Sequence, residues 1–275
     1  MTAKASIVAF QGEHAAYSEE AAIFRFGIET KTRPCRTLRG VFKSVEDQGA
    51  DFGIVPAENS VEGTVNQTYD MLLESRLKIC GEVKIRISHC LLALAGTGQE
   101  DLTIVYSHPQ ALAQCASFLE TLGVEMGPTY DTAGSAKMIK EKHLRDAGAI
   151  AGQRAAELYG LNILRRNIGD VSENYTRFFV IGSEDAIATG QDKTSVVFGA
   201  RHIPGSLHKA LGELALRGIN LTRIESRPIR TKPWEYHFFV DFEGHRLETV
   251  CAEALEALGK SSTYLKILGS YPRAD

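Results

Sequence analysis

The pattern of apolar and polar positions along the chain changes once, near residue 190. Before that point, short apolar runs alternate with stretches in which apolar residues recur at helical spacing. This alternation predicts a parallel sheet with helices on its faces. The predicted strands are 6–10, 32–35, 51–55, 77–87, 89–94, 103–106, 124–126, 147–151 and 175–181. The predicted helices begin at a Ser18 cap, at Leu38 and after Gly63, and span 109–122, 133–142 and 153–159.

The two long strands 77–87 and 89–94 interrupt this alternation, which then restarts. We therefore predict two small α/β lobes joined by crossing strands. The first lobe takes residues 1–78 and 170–182, and the second takes residues 79–169. Ligand sites in open α/β sheets collect at the carboxyl ends of strands, so a cleft is expected between the lobes.

A polar segment, 183–193, is predicted to be a linker. Beyond it, strands at 194–200, 220–229, 236–242 and 264–268 alternate with two helical stripes, one from Leu207 to Leu214 and one from Leu247 to Leu258. The order β-α-β-β-α-β is typical of a ferredoxin-like domain, here residues 194–275.

The composition and the short motifs bear on which partners, metals and cofactors the protein uses. The net charge of −3 gives no support for nucleic-acid or membrane-surface partners, which favour an excess of Lys and Arg. The five cysteines and eight histidines show no metal-ligand spacing, so no metal site is predicted. The chain has no G-x-G-x-x-G or P-loop, and we expect no cofactor. With no apolar leader and no apolar run longer than 90–95, a cytoplasmic location is expected.

Three polar side chains, Glu58, Asn59 and Ser60, follow a buried strand and precede a predicted helix. Backbone N–H groups at a helix start attract carboxylates and phosphates, so this segment is a candidate anion site. The alternative is that Asn59 or Ser60 only shapes a turn.

Ser107 and Gln110 have the spacing of a capping box at the start of a helix. Gln114 lies seven residues after Ser107, close to two helical turns, so the two would share a helix face. Capping alone does not require Gln114, and a functional pair remains the alternative.

Thr176 and Arg177 place a hydroxyl beside a guanidinium in an apolar strand. A buried Arg needs an anionic partner, either a ligand or a structural partner such as Glu173 or Asp170. Strand alternation points the two side chains to opposite faces. Both could reach one ligand only if the segment were irregular.

Four motifs now indicate a family: Gln11–Ser18, Ile54–Ser60, Ser107–Cys115 and Asn174–Phe178. In this order and spacing they resemble the prephenate dehydratases, in the monofunctional form. The tail resembles the ACT regulatory domain of those enzymes, and Gly205–His208 and Glu225–Pro228 are similar to its two phenylalanine-binding motifs. The resemblance covers essentially the whole chain. It implies a periplasmic-binding-protein-like catalytic domain, 1–182, and an ACT domain, 194–275.

The resemblance further implies conversion of prephenate to phenylpyruvate in L-phenylalanine biosynthesis, with L-phenylalanine as allosteric effector and a homodimer or homotetramer as the assembly. By carry-over, Thr176 donates a hydrogen bond to the leaving hydroxyl and Arg177 binds a carboxylate. The other implied site residues are Glu58, Asn59, Ser60, Ser107 and Gln114, then the pocket candidates Ser18, Thr132 and Phe178, then the effector candidates Gly205, Leu207, His208, Asn220, Leu221, Glu225, Ser226, Arg227 and Pro228. Two alternatives remain open: arogenate as the substrate, and a non-catalytic two-lobed protein that binds small anions.

Overall fold

The computed structural model describes residues 6–229, 231–232 and 234–274. The ends of the predicted domains at residues 1–5 and 275 therefore lie outside the described residues. Two compact units divide the chain. The first comprises residues up to Thr68 and Val83–Phe178, and the second comprises Tyr69–Glu82 and the residues from Phe179 onward. In the part of the chain that the structure describes, no helix combines the length and apolar character needed to cross a membrane.

Strands and helices alternate as predicted through the first two-thirds of the chain. Up to residue 93 the elements are β1 (Ile7–Gln11), α1 (Tyr17–Phe26), β2 (Lys31–Cys35), α2 (Leu38–Glu46), β3 (Phe52–Asn59), β4 (Gly63–Thr64), α3 (Asn66–Glu74), β5 (Lys78–Arg86) and β6 (Cys90–Ala93). From there to residue 182 they are β7 (Ile104–Ser107), α4 (Pro109–Ala113), α5 (Ala116–Leu122), β8 (Glu125–Pro128), α6 (Thr132–Glu141), β9 (Ala147–Ala151), α7 (Gln153–Tyr159), β10 (Asn162–Arg165) and β11 (Tyr175–Gly182).

The first sheet has the order β2-β1-β3-β11-β5, with β4 paired to β3. Strand β1 is parallel to both β2 and β3, which confirms the predicted parallel sheet. Helix α2 shows why the sequence folds this way. Its apolar residues keep helical spacing and all four are buried: Leu38, Val41, Phe42 and Val45.

The second sheet has the order β10-β6-β9-β7-β8, which confirms a second α/β lobe. Strand β7 is parallel to β8 and β9, whereas β6 runs antiparallel to β9 and β10. The edge strand β10 was not predicted. It follows Gly160, whose left-handed backbone (φ 61) ends α7 and turns the chain back along β6.

Four predictions about local structure were wrong. Strand β5 belongs to the first sheet, so the chain crosses to the second lobe after Arg86 and not at 79. Helix α1 begins at Tyr17, with Ala16 and not Ser18 at the cap position; the Glu19 carboxylate accepts the Ala15 N–H at 2.6 Å.

The other two errors concern the segment after β7. Helix 109–122 is broken after Gln114, because the Gln114 carbonyl accepts the backbone N–H of Asp170 at 2.8 Å. Ser107 is the last residue of β7 and not a cap, since the ring of His108 caps α4 by accepting the N–H of Gln110. Ser107 and Gln114 therefore do not share a helix face.

The C-terminal part has the predicted order β-α-β-β-α-β, which confirms the ferredoxin-like topology. The elements are β12 (Asp192–Gly199), α8 (Ser206–Ala215), β13 (Leu221–Pro228), β14 (Tyr236–Glu243), α9 (Thr249–Ser261) and β15 (Tyr264–Pro272). Their sheet order is β13-β14-β12-β15. Strand β12 begins two residues before the predicted 194, because Asp192 and Lys193 pair with Pro272 and Tyr271 of β15.

The second unit also contains residues 69–82, which include most of α3 and the first half of β5. The ammonium of Lys266 donates to the carbonyls of Leu72, Leu73 and Ser75 at 2.6–2.9 Å, which satisfies the C-terminal end of α3. The Tyr69 ring packs edge-on against Phe239, with ring centroids 5.1 Å apart. Much of α3 is therefore a structural component of the second unit.

Candidate active site

A cleft of about 500 Å³ lies within the first unit, between the two lobes. Residues at or just after the carboxyl ends of β1, β3, β7 and β8 line it, as the α/β rule predicts. Six of the predicted site residues are among its lining residues: Ser18, Asn59, Gln114, Thr132, Thr176 and Phe178. The fold therefore brings positions that are up to 160 residues apart in sequence, Ser18 to Phe178, to one cavity.

Thr176 and Asn59 form the centre of the site. The Asn59 Nδ2 amide donates to Thr176 Oγ1 at 3.0 Å and to Asn174 Oδ1 at 2.6 Å. Asn59 Oδ1 accepts the backbone N–H groups of Val61 and Glu62 at 3.0 and 2.9 Å, and this fixes which end of the amide faces Thr176. Because Asn59 occupies a lone pair of the Thr176 oxygen, the hydroxyl proton is left to donate elsewhere.

A chain of buried side chains continues from Asn59. Asn174 Nδ2 donates to Gln114 Oε1 at 3.0 Å, and the His89 ring nitrogen Nε2 lies 2.9 Å from the same oxygen. The other His89 nitrogen lies 3.2 Å from the Tyr17 hydroxyl. His89 and Asn174 are 4% and 3% exposed, and burial lowers the pKa of His89. The neutral imidazole is therefore the favoured form.

Sequence reasoning missed His89, Asn174 and Tyr17 as site residues. The sequence does contain a weak signal for two of them, which is a polar residue next to an apolar strand. His89 immediately precedes the apolar run 90–95, and Asn174 immediately precedes β11. Polar residues that flank buried strands need partners, and here those partners are one another.

Arg177 lies on the opposite side of β11 from the cleft. Its guanidinium is 3.9 Å from the Glu58 carboxylate, and neither residue lines the cavity. Strand β11 is continuous from Tyr175 to Gly182, and Thr176 lines the cleft whereas Arg177 does not, so the two side chains do not face one cavity. The expected structural partners were Glu173 or Asp170, whereas Glu173 instead lies 3.8 Å from Arg86.

Ser60 and Ser107 also lie outside the cavity lining. The Ser60 hydroxyl accepts the Tyr175 N–H at 2.9 Å and lies 3.3 Å from the Glu173 carbonyl, which ties the end of β3 to the start of β11. Ser107 is fully buried, and its hydroxyl donates to the Ile150 carbonyl at 2.7 Å. Both serines hold backbone segments that carry site residues.

A loop after β1 contacts the second lobe through Glu13. The Glu13 carboxylate accepts from the Tyr130 hydroxyl at 2.5 Å and from Lys137 Nζ at 2.9 Å, and these bonds lower its pKa. The Glu13 N–H donates to Asp131 at 3.1 Å. We call this set of contacts the interlobe latch, because it joins the two walls of the cleft.

The predicted effector residues separate into two groups. Gly205, Leu207 and His208 line a cavity of about 480 Å³ in the second unit, together with aromatic side chains that include Trp234 and Tyr236. Gly205 starts α8 from a left-handed conformation (φ 81) that favours glycine.

The second group, Asn220, Leu221, Glu225, Ser226, Arg227 and Pro228, does not line that cavity. Leu221 packs against the core of the second unit. The Glu225 carboxylate lies 3.6 Å from Arg223, and Arg227 lies 3.3 Å from the Asp70 carboxylate of α3. Ser226 and Pro228 nevertheless pair with Phe238 and Tyr236 of β14, which do line the cavity, so the second motif lies one strand away from it.

Two α/β lobes around a polar cleft, followed by a ferredoxin-like domain, define a ligand-binding α/β protein with an appended small domain. Family models agree with this division: prephenate dehydratase matches residues 8–186 and the ACT domain matches residues 194–260. The chain belongs to the prephenate dehydratase family.

Similar proteins share almost the full length of this chain. The bifunctional chorismate mutase/prephenate dehydratase of Aquifex aeolicus is 47% identical, over 97% of this chain and 74% of its own length. Arogenate dehydratase/prephenate dehydratase 2 of Arabidopsis thaliana, a chloroplastic protein, is 44% identical, over 96% of this chain and 72% of its own. The structure of prephenate dehydratase from Arthrobacter aurescens in complex with L-Phe is 33% identical, with a TM-score of 0.89, and the match covers 98% of this chain and 90% of that one.

Proposed function

We propose that this protein converts prephenate to phenylpyruvate in the cleft of the first unit. One proton is taken up, and carbon dioxide and water leave. The bond to the ring carboxylate breaks, its electrons move through the ring, and the ring hydroxyl departs from the opposite carbon. The ring becomes aromatic, so the step is strongly favourable once the hydroxyl can leave. The observation that carries the proposal is the Thr176 hydroxyl, whose oxygen accepts from Asn59 at 3.0 Å.

Thr176 acts as the hydrogen-bond donor to the departing hydroxyl. A threonine hydroxyl is a weak acid in water, but a positioned donor in a closed site stabilises developing charge without reorganising. Asn59 holds the Thr176 oxygen, and Gln114 presents a side-chain amide to the ligand. Phe178, which is buried on the same face of β11 as Thr176, supplies an apolar wall for the ring.

Helix starts, and not side-chain cations, hold the carboxylates of the substrate in this proposal. Among the described residues that line the cleft there is no Lys or Arg. The first turns of α1 and α3 contribute Ser18, Asn66 and Gln67 to the lining. The first N–H groups of a helix lack intrahelical partners and carry a partial positive charge. In this proposal Arg177 and Glu58 support β11 from behind instead of binding substrate.

Arogenate is the second candidate substrate. It carries an ammonium group where prephenate carries a keto group, and two carboxylates, Glu62 and Asp131, line the cleft. An arogenate dehydratase/prephenate dehydratase at 44% identity adds weight to this candidate. Side-by-side turnover of the two substrates tests both. If kcat/KM is larger for prephenate than for arogenate, the main proposal is supported. If it is larger for arogenate, arogenate replaces prephenate as the proposed substrate. If neither is turned over, a dehydratase function is rejected.

We propose that L-phenylalanine binds at the small domain and regulates turnover. Within one chain, Gly205–His208 lines the cavity and Glu225–Pro228 does not, so we propose that the complete site forms when the small domains of two copies pair side by side. The protein is then a homodimer or a dimer of dimers. The measurement is L-phenylalanine binding by calorimetry across protein concentrations that dissociate the assembly. Affinity that does not change while the protein dissociates would contradict a shared site.

A cytoplasmic location completes the proposal. The five cysteines are free thiols, three of them buried, as in proteins of reducing compartments.

A further inference from the structure

The direction of every hydrogen bond in the buried chain can be deduced from its backbone end. Asn59 Oδ1 accepts two backbone N–H groups, so its Nδ2 must face Asn174 and Thr176. Asn174 therefore accepts through Oδ1 and donates through Nδ2 to Gln114. The atom of Gln114 that receives this bond is the oxygen, and its NH₂ group points away from Asn174.

His89 stands at the far end of this chain. Because the Gln114 oxygen is an acceptor, the His89 Nε2 at 2.9 Å must carry the proton and donate. The unprotonated Nδ1 then faces the Tyr17 hydroxyl at 3.2 Å. The Tyr17 hydroxyl donates to the Ser88 carbonyl at 2.8 Å, so the Gln114 oxygen, and not Tyr17, decides the tautomer of the neutral ring. His89 is 4% exposed and lies at the wall of the cleft.

The hydrogen bond from His89 restrains the Gln114 side chain, which would otherwise be free to rotate. Gln114 lies at the break between α4 and α5, where the ladder of helical hydrogen bonds stops. A side-chain amide with one partner can rotate about its last bond and exchange oxygen for nitrogen. Two donors on the same oxygen, one from Asn174 and one from His89, prevent this exchange. They leave the NH₂ group of Gln114 for a ligand in the cleft that Gln114 lines.

We propose that His89 is a positioning residue of this dehydratase: its Nε2–H holds the Gln114 oxygen so that the Gln114 NH₂ group faces the substrate. The proposal rests on the function proposed above. His89 itself lines the cleft, but the role assigned to it here acts through Gln114. The proposal predicts an effect on turnover that passes entirely through Gln114.

A double-mutant cycle tests this dependence. We expect His89→Leu to lower kcat by about 10–100-fold with KM changed much less, the size expected when a catalytic contact is misplaced. We expect Gln114→Met to lower kcat similarly, and His89→Leu to add no further loss in the Gln114→Met background. Losses that multiply in the double variant, or an unchanged kcat in His89→Leu, would overturn the proposal. His89→Gln, which keeps an N–H donor, should recover most of the activity.

His245 provides a matched control. It is 1% exposed, its Nε2 lies 3.2 Å from the Ala186 carbonyl, and its Nδ1 accepts the Leu247 N–H, so it has the same tautomer in the second unit. We expect both His245→Leu and His89→Leu to lower thermal stability, but only His89→Leu to lower kcat. A loss of kcat in both variants would indicate a general effect of removing a buried imidazole and would overturn the specific role.

A second measurement needs no variant and no turnover. Long-range ¹H–¹⁵N spectra of the unaltered protein distinguish the two neutral tautomers of a histidine. We expect the Nε2–H form for His89. The Nδ1–H form would overturn the proposal, while turnover of prephenate by the unaltered protein separately tests the function on which the proposal rests.

Discussion

The cleft of the first unit and the cavity of the small domain differ in how many of their predicted residues line them within one chain. In the cleft, Asn59, Gln114, Asn174 and Thr176 come from distant parts of the sequence and contact one another directly. In the small domain, Gly205–His208 lines the cavity, whereas the other predicted motif lies on the neighbouring strand β13, where Arg227 pairs with Asp70. A polar network that closes on itself is set by folding alone. Our proposal assigns the second half of the effector site to a paired copy, which would make that site depend on assembly.

The largest effect expected is on the cleft side of this comparison. Thr176→Val keeps the shape of the side chain and removes the hydroxyl, so kcat should fall by ~100-fold or more, the size of a lost transition-state donor. Steady-state turnover of prephenate is the measurement. Thr176→Ser should retain much of the activity.

Thr194→Val is the matched control for this prediction. Thr194 is fully buried in the second unit, and its hydroxyl donates to the Gly244 carbonyl at 2.7 Å. It should lose stability but not kcat. Near-normal turnover in Thr176→Val would show that Thr176 is not the hydrogen-bond donor in the proposed mechanism.

An intermediate effect is expected at the effector cavity. His208→Ala removes a side chain that lines this cavity, and the L-phenylalanine concentration for half-inhibition should rise by about tenfold, which corresponds to a lost contact of ~1.4 kcal/mol. Lys260→Ala, on the exposed face of α9, is the control. If half-inhibition in His208→Ala matches the unaltered protein, this cavity is not part of the effector site.

The smallest effect is expected at the interlobe latch. Glu13→Gln weakens the bonds to Tyr130 and Lys137, and the free energy of unfolding should fall by about 1 kcal/mol or less. The pKa of Glu13 is lowered in the fold, so its contribution is present above the ordinary pKa of a glutamate and is lost as the pH falls through the lower folded value. The difference between the two proteins should therefore be full at pH 7 and disappear in acid.

Denaturant unfolding at several pH values measures this difference. Glu256→Gln provides the comparison, since Glu256 forms an exposed pair with Lys260 on α9. A difference between Glu13→Gln and the unaltered protein that persists unchanged into acid would show that the Glu13 charge is not what stabilises the latch.

Much of the fold could be predicted from the sequence because it depends on local periodicity. The buried stripe of α2 and the β-α-β-β-α-β order of the tail are both read from apolar spacing. In the last helix Ala254, Leu255 and Leu258 are buried as predicted, but spacing failed at its start: Leu247 precedes α9 and is 74% exposed, and Cys251 is buried instead of Val250. One turn of a helix is too short for spacing to reveal which side faces the core.

The site was harder to predict, for a different physical reason. Asn59, Gln114 and Thr176 were identified through motifs, but their mutual contacts depend on side-chain directions that no spacing reveals. Arg177 shows this clearly. Strand alternation correctly placed it opposite Thr176, yet its partner proved to be Glu58, 119 positions earlier, and not the nearby Glu173. The break after Gln114 also had no signal in its own sequence, because the bond that causes it comes from Asp170.

The three bonds from Lys266 to the end of α3 have a consequence for experiments that cut or exchange domains. The linker 183–191 looks like the natural place to separate the two halves, but residues 69–82 belong to the second unit as well. Gly269 of β15 packs so closely against the Ile79 backbone that a side chain would not fit there. A chain that ends at the linker would leave Tyr69, Ile79 and the carbonyls of Leu72 and Leu73 without their packing and bonding partners. A chimera that takes its tail from a relative should therefore take the segment 69–82 from the same relative.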